Sequence, residues 1–326
     1  MTTLTRLPDA RTPLSRESAA LAFADILDAR AEDEAVAAFL VTLADRGETS
    51  VEIAEAARAL RTRMLAVDAP PGAIDVCGTG GDGRNTLNVS TAVALVVAAC
   101  GVPVAKHGNR AASSRAGAAD TLEALGLDLS RAGETLAEVG IAFLHAPHHH
   151  PALARLAPLR RRIGRRTVFN LVGPLANPAR VTRQLIGIAR PDEASLYAEA
   201  LEQLGTEAAL VVSGAEGLDE LSVAGPSTAV AVGTVLLAGP VTPEDAGLGR
   251  HPLDALAGGD AAHNAAALSA LLDREPGAYR DAVLLNAAAA LIVAGRATTL
   301  TAAATLVAEA IDTGAARDLL QRWIAA

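Results

Sequence analysis

The chain has 326 residues, 51% of them hydrophobic but only 2% aromatic, so a sizeable core must be packed from Ala, Leu and Val. Charged residues make up 20%, which excludes a disordered chain. Acidic residues outnumber basic ones 37 to 28, and the net charge of -9 opposes nonspecific binding to nucleic-acid phosphates. Cys77 and Cys100 are the two cysteines; they lack CxxC spacing, cannot make a disulfide framework, and suit a cytoplasmic location. The start, MTTLTRLPDARTPLSRE, lacks the basic head and apolar run of a secretory leader. Residues 89–105 are apolar but too short and too close to glycines for a membrane span.

Residues 1–13 read as a lead. Ser15 can cap a helix reaching about Ala29, and a second helix covers 34–44 with Gly47 as its stop. Thr49 and Glu52 have capping-box spacing for a third helix reaching about Ala66, with Val51, Ile53, Ala56, Ala57 and Leu60 as its apolar stripe. Residues 1–69 therefore form a small helical unit whose Ala/Leu faces need partners, and residues 68–72, with Pro70 and Pro71, link it onward. From 73 the pattern alternates. AIDVCG is a strand, Asn88 opens a helix to about Ala99, 102–105 is a second strand, and KHGNR is its outgoing loop. A helix through LEALG stops at Gly126, 133–139 is another helix and 141–144 another strand. Residues 151–162 are helical and basic, and RRTVFNLVGPLANP is a helix followed by a turn. Strand 184–188, helix 192–204 and strand 208–213 precede the loop SGAEGLDELS, and 228–237 read as a long strand with its own hairpin. The last third is Ala/Leu helix, anchored at its end by Trp323. The expected fold class is α/β: a largely parallel sheet flanked by helices, plus the helical unit, with ligands at the carboxyl ends of strands.

Four stretches carry chemistry. GTGGDGRNTLNVST (78–91) has four glycines in its first six residues, and its successive N–H groups, with the helix start at Asn88, Ser90 and Thr91, suit an anion. It matches neither the dinucleotide fingerprint nor a P-loop. Asp82 inside such a loop would repel phosphate unless it faced a cation or a donor. KHGNRAASSRAG (106–117) gathers Lys106, Arg110 and Arg115, with His107 and Asn109 as neutral partners and Ser113 and Ser114 as caps or phosphate donors. FLHAPHHHP (143–151) holds three adjacent histidines, which rarely converge on one metal; His148 and His149 should face solvent and His150 should line or cap. In GLDELS (217–222), Asp219 and Glu220 are candidate magnesium ligands. Cys77 has no paired base and reads as a small buried residue. Together these ask for a phosphorylated, metal-bound substrate and catalysis by positioning and electrostatics.

In CGTGGDGRNTLNVST, KHGNRAASSRAG with ADTLEALG, HPALARLAPLRRRIGRRTVFNLVGPLANP and GLDELS, the chain resembles the anthranilate phosphoribosyltransferases over nearly its whole length. The resemblance implies a discontinuous helical domain, residues 1–69 joined by helices from about 159–178, and an α/β domain of residues 70–158 and 179–326. It implies a homodimer through the helical domains, no nucleic-acid or membrane partner, and two Mg2+ per monomer. The implied reaction joins anthranilate to phosphoribosyl pyrophosphate, inverting the anomeric carbon and releasing pyrophosphate in tryptophan biosynthesis. Carried over by motif, Lys106, Asp82 and Asn88 are the catalytic group. Gly78, Thr79, Gly81, Asp82, Thr86, Asn88, Val89, Ser90, Thr91, Lys106, Gly108 and Ser114 belong to the phosphoribosyl pyrophosphate stretches. His107, Asn109 and Arg160 belong to the anthranilate pocket, and Ser90, Asp219 and Glu220 to the metal. Against the usual family pattern, Ala116 and Ala118 replace serines, Arg115 a lysine, His145 an aromatic residue and Leu153 a methionine. A pyrimidine-nucleoside phosphorylase is the nearest alternative, and a nucleic-acid-binding relative of the same fold another. Intact KHGN and FNLVGPLANP stretches and the acidic balance favour the transferase.

Overall fold

A computed structural model describes residues 4–110 and 115–326. Three helices open the chain: α1 (Arg16–Leu27), α2 (Asp33–Arg46) and α3 (Ser50–Arg61). Ser15 Oγ accepts from Ser18 N at 3.2 Å, and Thr49 and Glu52 form the reciprocal capping box, with bonds of 3.3 and 2.8 Å. Two ends fall short of expectation. Helix α1 stops before Ala29, which takes a left-handed φ of 57°. Helix α3 stops well before Ala66, and Leu65 N donates instead to the His149 carbonyl at 2.8 Å, a tertiary bond that outcompetes another helical turn.

The α/β part runs β1 (Ile74–Gly78), α4 (Val89–Ala99), β2 (Val104–Gly108), α5 (Ala118–Ala124), α6 (Ala132–Glu138) and β3 (Ile141–His145). Then come short helices α7 (Ala146–His149), α8 (Pro151–Arg155), α9 (Ala157–Ile163) and α10 (Val168–Leu171). The expected single helix over 151–162 is broken because Pro158 has no N–H for the Ala154 carbonyl and its ring would collide with it. Strand β4 (Arg183–Gly187), α11 (Ala194–Gln203), β5 (Ala208–Gly214), β6 (Ser227–Gly233) and β7 (Gly239–Val241) follow. Strand β6 ends before 237 because Gly233 turns with φ +66°, and a Cβ there would lie 2.0 Å from the Glu207 carbonyl. Helices α12 (Ala261–Leu272), α13 (Ala278–Val293), α14 (Leu300–Asp312) and α15 (Ala315–Ala325) close the chain, with Trp323 buried in the core.

The seven strands lie in the order β3-β2-β1-β4-β5-β6-β7, parallel from β3 to β5 and antiparallel beyond. Both faces are covered, as parallel sheets require. Ile74, Val76, Leu185, Leu210 and Val212 pack under the Ala/Val helices α4 and α13. Their alternates Cys77, Ile186, Ala209 and Val211 join a second core shared with α1–α3 and α11. Leu159 of α9 and Phe169 of α10 enter that same core, and Phe169 meets Phe23 edge-on at 6.3 Å. The helical unit is thus docked on the sheet through the segment between β3 and β4. Among the described residues, no helix is long and apolar enough to cross a membrane.

Glu52 ties this unit together. Its carboxylate is fully buried and accepts from Leu14 N (2.9 Å), Thr49 N (2.8 Å) and Arg46 Nη2 (2.6 Å). Burial alone would raise its pKa, but Arg46 and the two N–H groups outweigh burial and hold it below the usual carboxylate range. Its contribution to stability is therefore complete above the unfolded pKa of about 4.3 and fades as pH falls through the lower folded value. Urea unfolding of Glu52→Ala at pH 7 should show a loss of about 3–5 kcal/mol, the cost of stranding a buried charge partner.

Candidate active site

The chain leaves β1 for β2 on one side and later returns to β4 on the other, so the β1/β4 boundary is the topological switch point. Gly78 and Gly187 end these two strands in register. The loop after β5 lies directly on them. A Cβ at Gly187 would be 1.5 Å from the Asp219 carbonyl oxygen, and one at Gly78 would be 2.4 Å from Asp219 Oδ2. Glycine at 187 lets the Asp219 backbone come this close, and glycine at 78 leaves room for the Asp219 carboxylate. Gly80 N then donates to Asp219 Oδ2 at 2.8 Å, and Ser90 N donates to Glu220 Oε1 at 3.2 Å. The glycine loop curls through three left-handed residues, Gly80, Gly81 and Gly83, with φ of 65, 78 and 69°. Thr79 N is held by the Gly187 carbonyl at 2.9 Å, and Arg84 reaches the Glu216 carbonyl.

Lys106 is not in a loop after a strand, as the sequence suggested. Strand β2 runs on to Gly108, because Lys106 and His107 still pair with Phe143 and Leu144 of β3 and His107 N donates to Asp75 Oδ1 at 3.0 Å. Lys106 is buried, and its Nζ donates to the Val76 carbonyl at 2.7 Å and to Ser90 Oγ at 3.2 Å. Among the described residues, no ion pair holds it. Burial lowers its pKa, opposed by the charges of Asp75, Glu220 and Asp219. The hydrogen bonds Lys106–Ser90–Glu220 and Gly80–Asp219 place the lysine, the 78–91 loop and the carboxylate pair around one point.

That point fits a hard cation. Glu220 Oε2 is buried with no hydrogen-bond partner among the described residues. Burial and then the neighbouring Asp82 push Asp219 up to about 6, and burial with Asp219 and Asp82 pushes Glu220 well above its usual range. A cavity of about 10 Å³, the size of one water, is lined by Ser90, Asp219, Glu220 and Gly187 among others. Among the described residues, no three His, Cys, Asp or Glu side chains gather as a complete metal site. A cation here would fill its shell with water and phosphate oxygens, as magnesium does.

The next residue of β2 faces the opposite side. His107 Nδ1 lies 3.0 Å from the Gly173 carbonyl, which can only accept, so Nδ1 carries the proton and Nε2 keeps a free lone pair. Nε2 is buried without a protein partner, and the ring faces buried His150 at 5.1 Å between centroids. Burial, then each other's proximity or that of His149, lowers the two imidazoles to about 3 and about 4, so both are neutral. Arg160 of α9 is half-buried and donates to the Phe169 carbonyl at 3.4 Å. Arg162 pairs with Glu34, Arg165 with Asp45 and Arg166 with Glu193, while Arg161 is exposed. Among the described residues, burial without an ion pair sets Arg160 apart in a run where sequence chemistry could not.

Other expected residues take different places. Arg110 is held by Asp120 and Glu123 at 2.9 and 2.7 Å, which removes it from the pool of phosphate counter-charges. Asn109 and Arg115 are exposed. Asn88 precedes α4 without capping it by side chain; its amide bonds Ala116, Thr121 and Asn264 instead. Thr86 bridges Ala257, Val89 and Thr91 are buried, and the space a side chain at Gly108 would need holds the Phe143 ring, 2.7 Å away. Gly81 is exposed, whereas Asp82 is half-buried beside Asp219. His149 is not turned to solvent, since its Nδ1 meets the Leu65 carbonyl at 2.9 Å, whereas His148 is exposed. Ser113 and Ser114 lie outside the described residues; Asp120 Oδ2 accepts the Gly117 N–H at the start of α5 at 2.9 Å. Gly187, Asp75 and Gly173 were not singled out from sequence. The one available signal was for Gly187, a second glycine ending a buried strand.

Gly187→Ala should displace the 215–222 loop. Thermal unfolding with and without Mg2+ should then show the cation's stabilisation lost, while far-UV dichroism keeps the native helix content.

Residues 70–317 match the family model described as glycosyl transferase family, a/b domain, and residues 3–64 the helical bundle domain of the same family. The chain is 61% identical over 329 residues to an anthranilate phosphoribosyltransferase of Novosphingobium aromaticivorans, covering 99% of each chain. It is 61% identical to that of Sphingopyxis alaskensis, covering 98% of this chain and 97% of the relative. Among solved structures, the Thermus thermophilus anthranilate phosphoribosyltransferase superposes with a TM-score of 0.92 at 44% identity, covering 97% of this chain and 96% of that one. The Saccharomyces cerevisiae enzyme in complex with PRPP and Mg gives 0.87 at 29% identity, covering 98% and 95%. Two matched domains in the family's order, near-complete coverage and the shared fold agree with the site's geometry: the chain belongs to the anthranilate phosphoribosyltransferases of this glycosyl transferase family.

Proposed function

We propose that this protein transfers the 5-phosphoribosyl group of phosphoribosyl pyrophosphate to the amine of anthranilate, releasing pyrophosphate. The observation that carries this reading is the division of β2: Lys106 faces a carboxylate pair and an N–H-rich loop, while His107, on the other face, keeps a buried ring nitrogen with no partner among the described residues. A diphosphate needs the first environment and a flat aromatic amine the second. A yeast relative has been solved with 4-fluoroanthranilate, at 27% identity and a TM-score of 0.84, which supports the same assignment.

In this reading Lys106 and the N–H groups of 78–91 oppose the charge that grows on the departing pyrophosphate oxygen. Asp219, Glu220 and Ser90 hold magnesium, two ions per monomer, with Asp82 at the edge of the same cluster. Bound magnesium supplies charge neutralisation to the leaving group. Arg160, a guanidinium without a carboxylate of its own, takes the anthranilate carboxylate. His107 Nε2 accepts from the anthranilate amine and aims its lone pair at C1. The C1–N bond forms as the C1–O bond to pyrophosphate breaks, with inversion at C1. A histidine this weakly basic orients the amine without taking up its proton; the proton becomes acidic as the bond forms and leaves to solvent. Asn109 stands at the pocket entry, and Thr79, Gly81, Asn88 and Thr91 shape the phosphoribosyl side. The half-exposed apolar residues Leu21 and Leu65 of the helical unit, 61% and 59% exposed, support a homodimer through that unit.

Anthranilate fluorescence, followed with PRPP and magnesium each omitted in turn, tests the reaction; turnover that needs neither would overturn it. Lys106→Ala should lower kcat/KM by about 100-fold or more, as expected for removing a preorganised charge from a water-poor site. Arg160→Ala should raise the anthranilate KM about ten-fold or more while leaving the PRPP KM within two-fold, the mark of a lost charged contact to one substrate. Wild-type activity in an Asp219→Ala/Glu220→Ala variant would refute the metal assignment.

A further inference from the structure

Asn88 has no spare acceptor for a substrate. Its Oδ1 accepts from Thr121 Oγ1 at 2.5 Å and from Asn264 Nδ2 at 2.8 Å. Its Nδ2 donates to the Ala116 carbonyl at 3.4 Å, and its own carbonyl accepts from Tyr279 OH at 3.1 Å and from Ala92 N at 3.2 Å. This residue thus joins the start of α4 to the end of the Lys106 loop, to α5, to α12 and to α13. Asn264, on the first turn of α12, is 2% exposed and carries nothing the mechanism uses. Its Oδ1 accepts from Gly259 N at 2.8 Å. Because Gly259 N can only donate and the Ala116 carbonyl only accept, neither amide can be turned over, and Asn264 Nδ2 must point at Asn88 Oδ1.

The surrounding backbone is built to keep this contact. Leu87 N donates to the Leu256 carbonyl and Gly258 N to the Asn85 carbonyl, both at 2.8 Å. A Cβ at Gly258 would stand 2.5 Å from the Thr86 carbonyl, so the 256–259 segment runs against the second half of the phosphate loop with no room between. Resting on the transferase reading above, we infer that Asn264 is a positioning residue: it locks the Asn88 amide, and through it holds the 84–91 stretch, with Ala116 and the start of α5, in the register that receives the phosphoribosyl pyrophosphate. It touches no substrate and has no route to the anthranilate pocket on the other face of β2.

The test separates this role from a general contribution to folding. Asn264→Asp keeps size and the acceptor for Gly259 N but replaces the donor with a second acceptor facing Asn88 Oδ1. Asn264→Ala removes both. Each variant should raise the PRPP KM about ten-fold, the scale of one lost buried hydrogen bond, with the anthranilate KM within two-fold of wild type. In an Asn88→Ala background, Asn264→Ala should change the PRPP KM by less than about two-fold, because its effect passes through Asn88. An unchanged PRPP KM in both variants, an equal rise in both KM values, or an undiminished effect in the Asn88→Ala background would overturn the proposal. If Asn264→Ala does not fold, Asn264→Asp alone decides. Wild-type turnover is measured first: its absence would count against the transferase reading, and calorimetric binding of PRPP with magnesium would then replace KM as the readout for Asn264.

Discussion

The loop after β5 lies against the ends of β1 and β4 so closely that a single carbon atom at Gly187 would collide with the Asp219 carbonyl. Everything on the phosphate side depends on this contact. It brings two carboxylates over the switch point of a parallel sheet, where helix starts and loop N–H groups already favour anions. Burial of those carboxylates, with Glu220 Oε2 left unpartnered, is a cost that the folded chain carries in advance. A bound cation would relieve it, and under the proposed reading this makes the loop a preformed receptor for metal and diphosphate together.

An acidic protein that binds acidic ligands must concentrate positive charge locally, and the ion pairs show how. Most arginines that looked available in the sequence are committed to carboxylates, among them Arg110, Arg162, Arg165 and Arg166. Such exposed pairs add little stability, yet they neutralise charge away from the site. Among the described residues, Lys106 and Arg160 have no carboxylate partner, the first buried and the second half-buried, where their fields are screened less than at the surface.

The period of a strand separates the two chemistries. Lys106 and His107 are neighbours in sequence and point to opposite faces of β2. The ionic environment around Lys106 and the neutral imidazoles of His107 and His150 are thus divided by one backbone. Asp75 serves the second half by accepting His107 N, and the Gly173 carbonyl sets the imidazole tautomer.

Much of this was legible in the chain itself. Capping residues Ser15 and Thr49, the alternation of apolar strands with Ala/Val helices, and glycines after strands are local signals, and local physics fixes them: hydrogen-bond caps, side-chain periodicity and backbone freedom. The same holds for the residue types that bind phosphate, magnesium and an aromatic acid. What sequence could not supply was partnership between distant segments. Whether Arg110 or Arg160 keeps its charge for a ligand depends on Glu123 and Phe169 being placed beside them. Whether Lys106 lies within a strand or starts a loop depends on Phe143 and Leu144 of β3 beside it and on Asp75 accepting the next N–H. That Asn88 is an internal strut, and that Gly187 must have no side chain, follow from Asn264 and Asp219, 176 and 32 residues further along the chain. Tertiary structure decided these points because each rests on a contact whose energy exists only once the chain has closed on itself.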